Sequence, residues 1–126
     1  MLFVTDTHPL VWYILGELPE RVDELFKLAE AGEASIFIPT IVLAECLYLV
    51  EENKIELDFE DLLERLEQSS NFIPASFNIR VLRLLPEIRL KELHDRIIIA
   101  TAMTLHAQLI TKDRVIRESG MVNVVW

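Results

Sequence analysis

The chain opens on an apolar run, Leu2-Phe3-Val4, that stops at Asp6 and resumes at Leu10. "LFVTD" carries β-branched residues without polar alternation, the pattern of a short strand covered on both faces. Thr7 is placed to cap a following helix with Pro9 in its first turn, where proline is tolerated. "PERVDELFKLAEAG" starts at Pro19, puts acids in its first turn and ends at Gly32, which predicts an amphipathic helix. "ASIFIPT" predicts a second buried strand, and from Thr40 "TIVLAECLYLVEEN" predicts a helix apolar almost all round. A helix over 58–68 follows, then an extended piece "NFIPA" and a helix "FNIRVLRLLPEI" that Pro86 ends or kinks. "HDRIIIATAMTLHA" predicts another nearly all-apolar helix, "QLITKD" a strand, "RVIRES" a helical turn closed by Gly120, and "VNVVW" a last strand. Strands that alternate with helices and lack polar alternation predict one α/β domain over residues 1–126, built on a parallel sheet.

Four carboxylates break the apolar pattern. Asp6 ends the first strand, and Asp113 follows "LIT" at the end of a late one. Glu45 sits inside "IVLAECLYLV", and Asp95 directly precedes "RIIIATAM". An unpaired ionised group kept from water costs several kcal/mol, so each acid must cap something or hold something. Taken singly, Asp6 and Asp113 read as helix N-caps sooner than as ligands, and Asp95 reads as either. Glu45, with apolar residues on both sides, is harder to place on a surface. Two of the four fall at carboxyl ends of parallel strands, where open α/β sheets bind ligands. Four acids in one cleft would raise one another's pKa unless a cation neutralised them. An all-oxygen set without a Cys or His pattern suits Mg²⁺ or Mn²⁺. Thr111, two residues before Asp113, offers a hydroxyl to orient a carboxylate or a metal-bound water.

Charge refines this picture. The net charge is −9, which taken alone opposes a nucleic-acid partner. Residues 1–70 hold 16 acids and four bases, whereas residues 71–126 hold five acids and eight bases. A polyanion therefore has to approach from the second half, where Arg96, Lys112 and Arg114 flank the acids as candidate phosphate contacts. "EENKIELDFEDLLERLE" reads as a solvated helix face. His8, His94 and His106 show no metal-ligand spacing and read as surface or packing residues. Trp12, Tyr13 and Trp126 read as packing or interface aromatics rather than base-stacking platforms.

Hydrophobic residues make up 52% of the chain and the mean hydropathy is +0.30. That predicts apolar surface left over for a partner, with a homodimer through "PLVWYILGEL" and "FNIRVLRLLPEI" as the expected form. No apolar run reaches the ~18 residues of a membrane span, so no membrane partner is expected. The N-terminus lacks the pattern of a secretory leader. The lone Cys46, read as facing the core, cannot form an internal disulfide. Both observations make the cytoplasm the expected compartment.

Taken in order, these pieces resemble PIN-domain ribonucleases, and among them the VapC-type toxins of VapBC toxin–antitoxin pairs. "VTDTHPLVW" resembles the family's opening, a strand-terminal Asp followed by Thr or Ser. "IPTIVLAECLYL" is similar to the helix that carries the second acid. "LHDRIIIATAM" is similar to the third motif, and "LITKD" to the last, a strand running into Thr-x-Asp. The resemblance spans the chain and implies a short parallel sheet sandwiched between helices. It implies Asp6, Glu45, Asp95 and Asp113 as the acids of a Mg²⁺ or Mn²⁺ site that hydrolyses RNA, with Thr111 in support. Many relatives carry Asp-Pro three residues before the third acid. Glu92 stands there without a proline, and the resemblance assigns it no role.

The resemblance also implies an antitoxin, with an apolar helix docked on the domain and an Arg or Lys entering the acidic site. Rival classes fit less well. A phosphoacceptor receiver needs adjacent acids after its first strand, but Thr7 follows Asp6. An Asp-x-Asp phosphatase needs an acid where His8 stands. A non-catalytic PIN-like binding or dimerisation module remains as the alternative.

Overall fold

The computed structural model describes residues 1–126. In chain order the elements are β1 (Leu2–Thr5), α1 (Thr7–Leu15), α2 (Glu20–Glu30), β2 (Ser35–Pro39), α3 (Thr40–Glu51) and α4 (Phe59–Gln68). They continue with β3 (Phe72–Ala75), α5 (Ile79–Leu84), α6 (Leu93–Leu105), β4 (Gln108–Ile110), α7 (Arg114–Ser119) and β5 (Val124–Val125). All strand pairs are parallel, and the sheet order is β3-β2-β1-β4-β5. The expected α/β fold with a short parallel sheet between helices is the fold observed.

Successive strand residues point to opposite faces of a sheet. Phe3 and Val4 are both buried, as are Leu109 and Ile110, so helices cover both faces of the central strands. The core is one cluster of 26 residues that runs through the sheet into α3 and α6. Each fully buried Ile, Leu or Phe in it contributes about 1.5–3 kcal/mol. In α6 the run Ile97–Ala102 is buried without a break, which is why that helix reads as apolar all round.

Three local expectations are corrected. Thr7 is not the cap of α1: the Asp6 carboxylate accepts from the Thr7 N–H, and Thr7 becomes the first helical residue. Asp95 is not the cap of α6: Glu92 occupies that position without a side-chain bond, and Asp95 sits in the first turn. The stretch 77–88 is not one helix. Asn78 caps α5, which ends at Leu84, and Pro86 continues the chain as a short 3₁₀ turn, Leu85–Glu87.

The order of the strands places the site. The chain builds β1, β2 and β3 outward in one direction, then returns to add β4 and β5 on the other side of β1. Carboxyl ends of β1 and β4 therefore flank the point where the winding reverses, the crevice in which such sheets bind ligands. Asp6 follows β1 directly, and Thr111 and Asp113 follow β4.

Candidate active site

Asp6 is locked at that crevice by two hydrogen bonds. Its Oδ1 accepts from the Thr7 N–H at 2.8 Å, and its Oδ2 accepts from the Thr111 hydroxyl at 2.7 Å. Thr111 is fully buried, and its Oγ1 also accepts from the Asp113 N–H at 3.0 Å. One threonine thus ties the ends of β1 and β4 together. Asp113 in turn caps α7, its Oδ1 accepting from the Ile116 N–H at 3.0 Å. Capping and site-building are not alternatives for Asp6 and Asp113. One oxygen of Asp113 serves the helix and the other stays free.

Glu45 approaches from α3. Its Oε2 accepts from the Thr7 hydroxyl at 2.7 Å and lies 2.7 Å from His94 Nε2. The His94 bond holds the Glu45 carboxyl below its ordinary value against the opposing effect of burial, and the Glu45 bond raises His94. Asp95, next to His94 on α6, is in the reverse condition. No hydrogen bond reaches its carboxylate. Burial, then the charges of Asp113 and Asp6, push it up to about 6. Glu92 adds a weaker push in the same direction.

Asp6, Asp113 and Thr111 line a cleft of about 420 Å³ together with His8, Trp12 and Lys112. Of the three candidate phosphate contacts, Lys112 alone stands in this cleft. Arg114 is turned along α7 into an exposed pair with Glu118, Nε to Oε1 at 2.7 Å. Arg96 is turned inward, and its Nη2 donates to the Leu85 carbonyl at 2.7 Å. Its Nε is buried without a partner. Neither arginine points at the acids.

Two residues were missed from the sequence. His94 is no mere packing histidine: it pairs with Glu45 across 49 positions of chain. Thr7 is 1% exposed and spends its hydroxyl on the same carboxylate. No spacing rule could have found the pair, since it depends on how α3 meets α6. Tyr13 and Cys46 are as expected. Tyr13 stacks on Phe26 and Phe72, and burial pushes its hydroxyl up to about 12. Cys46 is buried, and its thiol is raised to about 11 by burial and then by Glu45.

The donor chemistry fits a hard divalent cation. It consists of oxygens only, and the strand-end acids carry negative charge that a cation would relieve. As the side chains stand, no three acidic, imidazole or thiol groups converge tightly enough to enclose an ion.

The PIN-domain family model matches residues 3–120, and the chain belongs to that family. A VapBC2 structure from Rickettsia felis, bound to a DNA fragment from its promoter, is similar with a TM-score of 0.76 at 22% identity. The match covers 99% of this chain and 98% of that one. FitAcB from Neisseria gonorrhoeae is similar with a TM-score of 0.70 at 22% identity, over 98% and 96% of the two chains. A toxin–antitoxin complex from Klebsiella pneumoniae follows with a TM-score of 0.64 at 23% identity, over 98% and 95%. At these identities the likeness is one of fold. No curated protein matches the chain.

Proposed function

We propose that this PIN domain is a divalent-metal-dependent ribonuclease that hydrolyses RNA phosphodiester bonds as the toxin of a toxin–antitoxin pair. The observation that carries the reading is the state of Asp95, pushed up to about 6 beside Asp113 and Asp6 at the carboxyl ends of the strands. Folding leaves Asp95 unpaired within reach of the charges of Asp113 and Asp6, which line the cleft, and perturbed acids beside a cleft mark functional sites. Asp6, Glu45, Asp95 and Asp113 would hold Mg²⁺ or Mn²⁺. The ion would supply a low-pKa water and neutralise charge developing on the phosphate. Thr111 and Thr7 fix the Asp6 carboxylate, so its direction is set before substrate arrives. A free oxygen of Asp95 or Asp113 is the acceptor for the proton of an attacking water. Lys112, at the cleft wall, meets a phosphate oxygen.

Solved neighbours that are toxin–antitoxin complexes support an antitoxin partner for this chain. Its Arg or Lys enters among the four acids, and its apolar helix covers exposed side chains. No helix is long and apolar enough to cross a membrane, and the proposed place of action is the cytoplasm. Of the two segments expected to pair copies of the chain, the second is the better candidate. Ile79 and Leu82 on α5 are 61% and 48% exposed, whereas α1 shows only Leu15 at 41%. Light scattering at tens of micromolar tests the homodimer.

The non-catalytic module has one observation in its favour, that no three acids converge as they stand. Metal titration with a mixed RNA pool separates the readings. The nuclease reading expects cleavage with Mg²⁺ or Mn²⁺, abolished by chelation and by Asp6→Asn or Glu45→Gln. A soluble, folded protein that cleaves nothing with either ion is the module. Expressed alone, the nuclease slows growth, and Asp6→Asn relieves the effect.

A further inference from the structure

Trp12 stands apart from the other aromatic residues. Tyr13 belongs to a core stack with Phe26 and Phe72. Trp12, one position earlier on α1, instead lines the acidic cleft with Asp6 and Asp113. It also lines a neighbouring hollow of about 240 Å³ with Lys112 and Trp126. The two cavities share Trp12 and Lys112, so they adjoin as a trough divided at these two side chains. Its far wall is Trp126, which directly follows β5. The ring centroids of His8 and Trp12 are 5.7 Å apart, as are those of Trp12 and Trp126, both pairs tilted. Lys112 Nζ rests 5.6 Å from the centre of the Trp12 ring.

Aromatic rings beside a cation, open to a trough, make a surface on which an unpaired base stacks while the cation meets its phosphate. Duplex RNA buries its bases between strands and leaves none free for such a ring, whereas a single strand offers every base face. We infer that Trp12, walled by His8 and Trp126, is a stacking platform for an unpaired nucleobase of the RNA substrate, beside the strand-end acids Asp6 and Asp113. This rests on the ribonuclease reading of the same cleft. In the free protein Lys112 covers the Trp12 ring. An incoming base takes its place, and the ammonium swings to the flanking phosphate. Both tryptophans pack against the core as expected, and Trp12 also reaches the cleft wall.

The test is a binding cycle on the full chain with short labelled single-stranded RNAs, at low ionic strength with Ca²⁺ in place of Mg²⁺ or Mn²⁺, so that the acids are neutralised while cleavage is suppressed. An abasic nucleotide is moved through the oligonucleotide one position at a time. For wild type, one position weakens binding about tenfold, the usual cost of a lost stack. For Trp12→Ala, that position costs nothing further, and Trp12→Phe restores most of the penalty. RNA quenches wild-type tryptophan fluorescence, and Trp12→Ala loses most of the quench. Because the abasic penalty is compared within each variant, a change in stability does not mimic the result. An abasic profile identical in wild type and Trp12→Ala overturns the platform, as does failure of wild type to bind single-stranded RNA. If that profile is identical while Mg²⁺-dependent cleavage persists, the platform falls and the nuclease stands. If the penalty vanishes in Trp12→Ala but no metal supports cleavage, the platform stands and the nuclease falls.

Discussion

At one corner of the site, on α3, Glu45 receives the Thr7 hydroxyl and the His94 imidazole; at the other, on α6, Asp95 receives no hydrogen bond and feels the charges of Asp113 and Asp6. Both carboxylates are partly buried on apolar helices, yet one is held below its ordinary range and the other is raised to about 6. Burial opposes ionisation in both places. What differs is the partner. The fold neutralises the Glu45 corner with its own residues and leaves the Asp95 corner short of a positive charge. A divalent cation of the proposed site would supply that charge, with Glu45 already oriented toward it by Thr7 and His94.

The sharpest way to break the contrast is Asp95→Asn. It removes a charge that the folded protein disfavours, so RNA cleavage falls at least about a hundredfold. The metal-free protein nevertheless melts a few degrees higher. Cleavage of a defined RNA and calorimetric melting in chelator measure the two effects. An ordinary structural acid shows the opposite sign in the second.

The same corner dictates a pH dependence. Asp95 titrates at an ordinary 3.8 in the unfolded chain and at about 6 in the fold, so the native state binds its proton more tightly. Stability of the metal-free protein therefore falls as pH rises from about 4 to 6 and levels off above that. Asp95→Asn removes this part of the slope, as melting temperature against pH records. The paired corner behaves differently. Glu45, held low, contributes stability that is lost as pH falls through its lowered value. His94, held high, contributes stability that is lost as pH rises through its raised value.

Replacing Thr111 by Val acts on the link between strand ends. It removes the donor to Asp6 and the acceptor for the Asp113 N–H, costing about 1–2 kcal/mol and lowering cleavage roughly tenfold. His94→Ala is smaller, about 1 kcal/mol or roughly 4 °C near pH 6. The cost shrinks above the raised imidazole value, where the wild-type pair is no longer charged. Denaturant melts at two pH values measure it.

How much of this was readable in advance follows the same division. The candidate acids announce themselves because a charge interrupts or borders an apolar run: Asp6 and Asp113 after strands, Glu45 and Asp95 on helices. Parallel strands announce themselves because Phe3-Val4 and Leu109-Ile110 lack alternation. The pairing of His94 with Glu45 left no local trace, since it is made by tertiary contact. Arg96 looked like a phosphate ligand by position, but its guanidinium is claimed by a backbone carbonyl in the 3₁₀ turn. Arg114 could have been set aside from the start. Glu118 lies four residues on in the same helix, at the spacing of an intrahelical ion pair. Trp12 and Tyr13 are neighbours in sequence, and only the orientation of α1 sends one to the cleft and the other to the core.

On the proposed reading, Asp95 on α6 and the strand-end acids Asp113 and Asp6 repel one another until a divalent cation joins them. Thermal unfolding of wild type and Asp95→Asn, each in chelator and in millimolar Mn²⁺, tests it most directly. Wild type is expected to gain several degrees on adding Mn²⁺. The variant starts higher in chelator and gains little. A variant that melts below wild type in chelator, or that gains as much from Mn²⁺ as wild type does, contradicts it.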